Sequence, residues 1–398
     1  MRGFPRMRGD ARPERLSHNC VGVHRDEVRL LGQRGTSAAA EIRRVSAISR
    51  ISSQSVVGLA ILALVVPGFI VGSGLAAAHS YQSIPASVPL SPAANWTQLS
   101  LTIHPPPCYG QSMVYDGKDG AVILFGGICS PGNVPSNSTW SFAGGVWKIV
   151  ATTVAPPPRE SASMAYDAKD GYVLLFGGFS FKGTTWTGSY NDTWKFAGGT
   201  WTNITPAVSP SPRVAGPMTY DAKDGYVVLF GGAQYFPSSS AVFNDTWAFS
   251  AGGWTNLTAG SSRAPSASYS RLGSMTFDSH DRYVLYYSWG QTWKFVAGRW
   301  TVPSANGRPA GTDFVGLTFD TAIRQVLEYG GQNSHCAGGG VCRQTWAYAN
   351  GAWSHLFYST SPPPLALPQF CYDPRDGYAV LFGGDNRSGY WDETWTYG

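Results

Sequence analysis

Along residues 95–398, short apolar runs return at a nearly constant interval, each closed by glycine or a small turn cluster. The runs AVILFGG (121–127), YVLLFGG (172–178), YVVLFGG (226–232) and YAVLFGG (378–384) have no polar face, as expected of strands covered on both sides. YVLYYSW (283–289) and QVLEYGG (325–331) keep the run and vary its chemistry. A shorter strand ending in Tyr-Asp or Phe-Asp precedes each run. The turn between them, most fully Asp-x-Lys-Asp-Gly, supplies Asp and Gly where a hairpin needs them. After each run come a strand led by Thr-Trp, a Gly-rich turn, and in five copies a strand that opens on Trp.

The pattern predicts six copies of a four-stranded unit, with strands a to d in chain order. The aspartates 116, 167, 221, 278, 320 and 373 are spaced 51, 54, 57, 42 and 53 apart. Periods near 50 with Gly-Gly after an apolar strand belong to propeller blades. Five copies carry two Trp seven apart: 140/147, 194/201, 247/254, 293/300 and 346/353. Seven residues straddle a hairpin, so each pair is expected to pack cross-strand within its blade. The sixth copy stops after Trp395, while an orphan Trp stands in NWTQLS (95–100). That segment has the form of a strand d. It is expected to complete the sixth blade and remove an exposed edge.

The apolar strand with Gly-Gly, the NDTW strand and the Trp of strand d resemble the kelch repeat over residues 95–398. The resemblance implies an all-β, six-bladed kelch-type β-propeller of the galactose oxidase central-domain kind. The fourth copy departs, with Ser288-Trp289 for Gly-Gly and almost no b–c loop. That blade is expected to be intact but flattened on one side.

Composition agrees with a turn-rich β protein. Aromatics are 14%, charged residues 13%, and glycine is 48 of 398. This speaks against a coiled coil, a helical bundle and a disordered chain. The net charge of +5 is uneven. Residues 1–54 hold 11 Arg and five acids, which is +6, and the rest of the chain carries −1. A neutral body gives no footprint for nucleic acid.

From Ile51 to Tyr115 there is no charged residue. Within this stretch 55–78 (SVVGLAILALVVPGFIVGSGLAAA) is long enough to cross a bilayer as a helix, and Arg43, Arg44 and Arg50 precede it. A transmembrane or signal helix is therefore expected ahead of the propeller. Either Ala76-Ala77-Ala78 is cleaved by signal peptidase or the helix stays as a signal anchor. The Arg-rich tail 1–54 would then be cytoplasmic, although its length also suits a mis-assigned start. Residues 79–94 have the Pro/Ser composition of a linker. The propeller would be at the cell surface or secreted.

Export makes disulfides plausible. Folding the first hairpin about Lys118 sets Cys108 beside Cys129, and Cys336 and Cys342 bracket one loop. Cys371 reads as a buried thiol. Sequons at Asn95, Asn137, Asn191, Asn203, Asn244, Asn256 and Asn386 are glycosylation candidates, although four of them fall in copied repeat pieces.

Catalytic chemistry is not expected. Galactose oxidase holds copper with two His and two Tyr. Here His79, His104, His280, His335 and His355 do not fall at matching positions in neighbouring copies. No motif of the kelch-type sialic acid isomerases transfers residue by residue. No nucleophile elbow, P-loop, dinucleotide fingerprint or zinc spacing is present, so no cofactor or metal is implied. The Asp-x-Lys-Asp-Gly pieces read as turns because they recur copy after copy.

Binding is expected on one face. The a–b and c–d turns are short and uniform. The b–c connections (128–138, 179–191, 233–244, 332–344, 385–391) and the d–a connections (151–162, 206–216, 259–270, 303–313) are long and varied and lie on the opposite face. Binding sites favour such loops. Candidate contacts are Phe179, Phe181, Trp186, Tyr190, Tyr235, Phe236, Tyr390 and Trp391, alongside a reading in which they only pack the loops. Arg159 and Arg213 stand five residues before Met164 and Met218 and are expected at the central mouth, with Arg271 nearby. Aromatics with Arg suit a protein or glycan ligand. The expected molecule is a monomeric, non-catalytic binding module. A carbohydrate-active enzyme and a structural surface-layer or adhesion component are the competing readings.

Overall fold

A computed structural model describes residues 94–398 apart from 183–184, 236–239, 262, 267–272, 305–306, 308, 310, 334–335 and 337–339. The expected helix at 55–78, the tail 1–54 and most of the linker 79–94 lie outside the described residues. Among the described residues no helix is long and apolar enough to cross a membrane.

The described chain is all-β apart from one 3-10 turn at Thr258–Gly260. Six four-stranded antiparallel sheets are formed among the described residues, each in the order a-b-c-d. Sheet two shows the plan: Ser163–Asp167, Tyr172–Phe176, Thr193–Ala197 and Thr200–Asn203. Sheet six takes three strands from the chain end, Gln369–Asp373, Tyr378–Phe382 and Thr394–Tyr397. Its fourth is Trp96–Leu99, registered with Trp96 opposite Tyr397 and Leu99 opposite Thr394.

Every a–b turn has one construction. The aspartate that ends strand a accepts two backbone N–H bonds through Oδ1. Asp167 takes them from Lys169 and Asp170, and Asp116, Asp221, Asp278, Asp320 and Asp373 do the same in their own turns. The carboxylates are thus turn caps. The turn closes on a residue with left-handed φ, which is Gly171 in sheet two (70°), Arg282 in sheet four (61°) and Arg324 in sheet five (56°).

The tryptophans pack differently from the expectation. Within a sheet, the Trp of strand d lies opposite the aromatic of strand c, not opposite its Trp. Trp201 pairs with Phe196, while Trp194 pairs with Asn203. The ring of Trp201 lies 5.0 Å from Phe196 and 5.1 Å from Phe125 of the preceding sheet. Its indole N–H donates to Thr139 Oγ1 in that sheet at 2.9 Å. The seven-residue spacing therefore serves contacts between sheets. The same bond recurs from Trp147 to Thr394, Trp254 to Thr193, Trp300 to Thr246, Trp353 to Thr292 and Trp96 to Thr345.

Gly-Gly has an equally local cause. A Cβ on Gly177 would stand 2.5 Å from the carbonyl oxygen of Arg213, which crosses above it. In sheet four the crossing persists, with Trp289 N–H donating to the Thr312 carbonyl at 3.1 Å, but the turn Trp289-Gly290 joins Tyr283–Ser288 directly to Gln291–Val296. The sheet keeps its four strands, and Trp289 is 42% exposed.

Candidate functional site

The long connections are sewn together. The residue after Gly-Gly pairs with the incoming d–a connection as Glu160 with Phe179, Val214 with Ala233, Asp313 with Gln332, and Ala366 with Asp385. In sheet one the same join is Cys108–Tyr109 against Ile128–Cys129. Cys108 and Cys129 are disulfide-bonded there. Cys336 and Cys342 form a second disulfide. Beyond these joins the b–c connections rise as hairpins, Phe179–Lys182 with Thr185–Ser189 and Ala233–Tyr235 with Ser240–Val242.

Inside this rim lies a cavity of about 200 Å³ bordered by strand a or its lead-in from all six sheets. Gln111, Ser163, Gly216, Ser274, Val315 and Gln369 represent the six. Among the described residues no Asp, Glu, Lys or Arg lines it. The serine hydroxyls lean across to the next sheet. Ser112 donates to the carbonyl of Ala162 at 2.7 Å, Ser274 to that of Val315 at 2.6 Å, and Ser163 to that of Gly216.

The two arginines expected at the mouth are not there. Arg159 is 0% and Arg213 1% exposed. Arg159 grips Asp192 at two points, Nη1–Oδ1 2.6 Å and Nη2–Oδ2 2.8 Å, and Nη1 also donates to the carbonyl of Gly177 at 2.8 Å. Tyr190 stacks on the guanidinium at 4.1 Å. Arg213 repeats this with Asp245, the carbonyl of Gly231 and the ring of Phe243 at 4.2 Å. A guanidinium with its donors used inside the protein cannot meet a ligand, so both are corrected to structural residues. The reason is physical: burying a cation demands a paired acid, and Asp192 and Asp245 supply it.

Of the candidate aromatics, Phe179 is corrected in the same direction. Phe179 is buried with Val214 and Ala233, and Phe181 packs against that cluster. Trp391 is half-buried and packs against the core of sheet six. Tyr390 meets Tyr109 at 4.7 Å. Trp186 lies opposite Phe181 in its hairpin, and Tyr235 ends the first strand of the next. Phe236 and Arg271 lie outside the described residues.

Of the histidines, His104 Nδ1 is 3.8 Å from Asp392, and His355 stacks on Trp346 and meets Phe357 edge to face. His280 sits in an exposed turn. His79 and His335 lie outside the described residues. Among the described residues no three His, Cys, Asp or Glu side chains converge. Cys371 is a buried free thiol, pushed up to about 12 by burial. Cys20 lies outside the described residues.

The sequons acquire roles in the fold. Asn203 Oδ1 accepts the N–H of Thr205, whose hydroxyl accepts the N–H of Thr193. Asn256, Thr258 and Thr246 repeat this. Thr139, Thr193 and Thr246, the last members of the sequons at Asn137, Asn191 and Asn244, accept indole N–H bonds. These five sequons need no glycan to account for them.

Three buried polar groups escape sequence reading. Glu160 beside the mouth has its carboxyl pushed up to about 8 by burial. Glu328 is wholly buried and raised by the same cause, against a lowering hydrogen bond from Thr312. Gln111 is buried in the cavity wall.

Compared with known protein families, the chain matches the KLHDC2/KLHL20/DRC7 Kelch-repeats domain over residues 92–287. No curated protein matches it.

Proposed function

Because this chain is a kelch-repeat β-propeller protein, we propose that it is a non-catalytic binding module that takes a protein partner on its long-loop face. Kelch repeat domains in general bind proteins. The observation that carries the reading to this face is the asymmetry of the connections. The a–b turns are copies of one capped turn, whereas the b–c connections differ in length and fold from sheet to sheet around one cavity.

The reading includes six blades in one closed ring. Its support is the series of indole bonds, each from strand d of one sheet to strand c of the sheet before it. Trp147 bonds back to Thr394 and Trp96 to Thr345, so the series has no free end. Pairing of Trp96–Leu99 with Thr394–Tyr397 removes the edge that sheet six would otherwise present.

The propeller is placed outside the cell, secreted or held by 55–78. The uncharged 55–78 segment behind Arg43, Arg44 and Arg50 supports this, as do the two disulfides. A glycan partner is the second reading. One observation favours it: Trp346, His355 and Phe357 form an aromatic ladder on sheet five, with Phe357 84% exposed.

The test is crosslinking capture of partners by the full chain and two variants. One variant has the 180–188 hairpin replaced by a two-residue turn. The other carries Lys118→Ala, Lys169→Ala and Lys223→Ala on the turn face. The hairpin variant is expected to lose the partner and the lysine variant to keep it. The opposite result overturns the face assignment. A glycan array probed with Phe357→Ala decides the second reading.

A further inference from the structure

We propose that the open edge of sheet one takes an extended segment of a protein partner as a fifth strand, one that sets an acidic residue beside Lys148 between apolar neighbours. This surface is separate from the long-loop face and goes beyond the reading given for it.

Val146–Val150 is the last strand of sheet one and, among the described residues, pairs with Thr139–Ala143 alone. Its other side is a row of N–H and C=O groups, a template for another strand. Two other sheets show such an edge covered. In sheet four the Trp300 N–H donates outward to Ser261 Oγ at 3.0 Å. In sheet five a Cβ on Gly307 would stand 2.4 Å from the carbonyl oxygen of Trp353. In both, the connection from the preceding sheet lies against the edge. Trp147 is the equivalent residue in sheet one. By the strand's period of two, Trp147 and Ile149 turn their N–H and C=O outward. Among the described residues, none outside the sheet hydrogen-bonds to the backbone of Val146–Val150.

The side chains set this edge apart as well. Ile149 is 64% and Val146 48% exposed. At the place of Ile149 the other copies carry Asn203, Asn256, Val302, His355 and Gln98. Four of these are polar, and Val302 is followed by Pro303, which cannot donate to an added strand. Only sheet one puts an apolar residue here with no Pro behind it. Edges are ordinarily blunted, and a local rule broken this way is expected at a functional site.

Charge selects the occupant. Lys148 is exposed and, among the described residues, belongs to no ion pair. Val146 and Lys148 share one face of the strand, and Ile149 is on the other. An acidic residue beside Lys148 gains an opposite charge across the strands. β-Branched or aromatic residues around it cover Val146 and Ile149. A second copy of this strand does not fit. Antiparallel pairing centred on Lys148 would set two lysines opposite each other, which is destabilising.

The experiment is selection of a phage-displayed random peptide library on the immobilised full chain, with counter-selection on Ile149→Pro. Pro there removes an outward N–H and leaves the pairing with Thr139–Ala143 in place. Peptides with an Asp or Glu among β-branched or aromatic residues are expected. Lys148→Glu should weaken them about tenfold, and changing the peptide's acid to Lys should restore binding to that variant. Synthetic copies N-methylated at alternate amides should not bind in the register that blocks pairing. That arm and the charge exchange keep the test valid even if Ile149→Pro fails to fold. The variant with the 180–188 hairpin replaced should bind the peptides unchanged. Loss of binding in that variant places the peptides on the long-loop face and overturns the edge alone. The proposal also fails if no peptide separates the wild type from Ile149→Pro, if N-methylation in both registers is tolerated, or if Lys148→Glu changes nothing.

Discussion

Arg159 and Asp192 hold each other through two parallel bonds of 2.6 and 2.8 Å at a point where the guanidinium is fully enclosed. The pair joins the connection leaving sheet one to strand c of sheet two. Arg213 and Asp245 do the same between sheets two and three. These are the chain's rivets on the long-loop side.

Removing one member should therefore destabilise the fold. Arg159→Ala leaves Asp192 without its partner, and Asp192→Asn leaves a buried cation. Each is expected to cost about 3–5 kcal/mol, the usual penalty for halving a buried pair. Joint replacement by Met and Leu should recover much of that loss. Urea denaturation of the four proteins measures it, and additive losses in the double variant would contradict the pairing.

The indole bonds give a smaller, local test. Thr139→Val keeps the shape and removes the acceptor for Trp201 Nε1. It should cost about 1–3 kcal/mol, because the buried N–H is left unmet. Adding Trp201→Phe should bring little further loss of hydrogen bonding. A full second loss would mean that the bond contributes nothing.

Protonation gives the third prediction. Glu160 is raised by burial from 4.5 to about 8. The folded state thus keeps its proton to a higher pH than the unfolded chain. The contribution of this group is intact below about pH 4.5 and is lost as pH rises toward about 8. Glu328 shifts in the same direction. Stability should decline from about pH 5 to pH 8, and Glu160→Gln should flatten that decline by on the order of 2–4 kcal/mol at the upper end. Thermal melts across this range check it. A wild-type profile that rises through the window would refute the assignment.

Deleting residues 95–100 should leave the edge of Thr394–Tyr397 open and remove Trp96 from between Tyr329 and Tyr397. Aggregation or a marked drop in Tm is expected. A deletion variant that melts like its parent would argue against closure by this segment.

The repeat, the four strands of each unit, the capped turns and the return of 95–100 to the last copy were all legible in the chain, because period, turn chemistry and apolar runs are local signals. The Arg–Asp pairing was legible too, though only in hindsight: the two copies with Arg five residues before Met are the two with Asp before Thr-Trp. What a side chain faces is a different matter. Arg159 at a strand entry is equally consistent with a ligand contact and with a rivet, and only the neighbouring sheet, 33 residues along the chain, supplies the carboxylate that decides it. The Trp of strand d likewise has its hydrogen-bond partner in another sheet. Sequence alone determined the repeating unit, since its forces act within a hairpin. Tertiary structure decided the candidate site, since burial and pairing arise only where one sheet packs on the next.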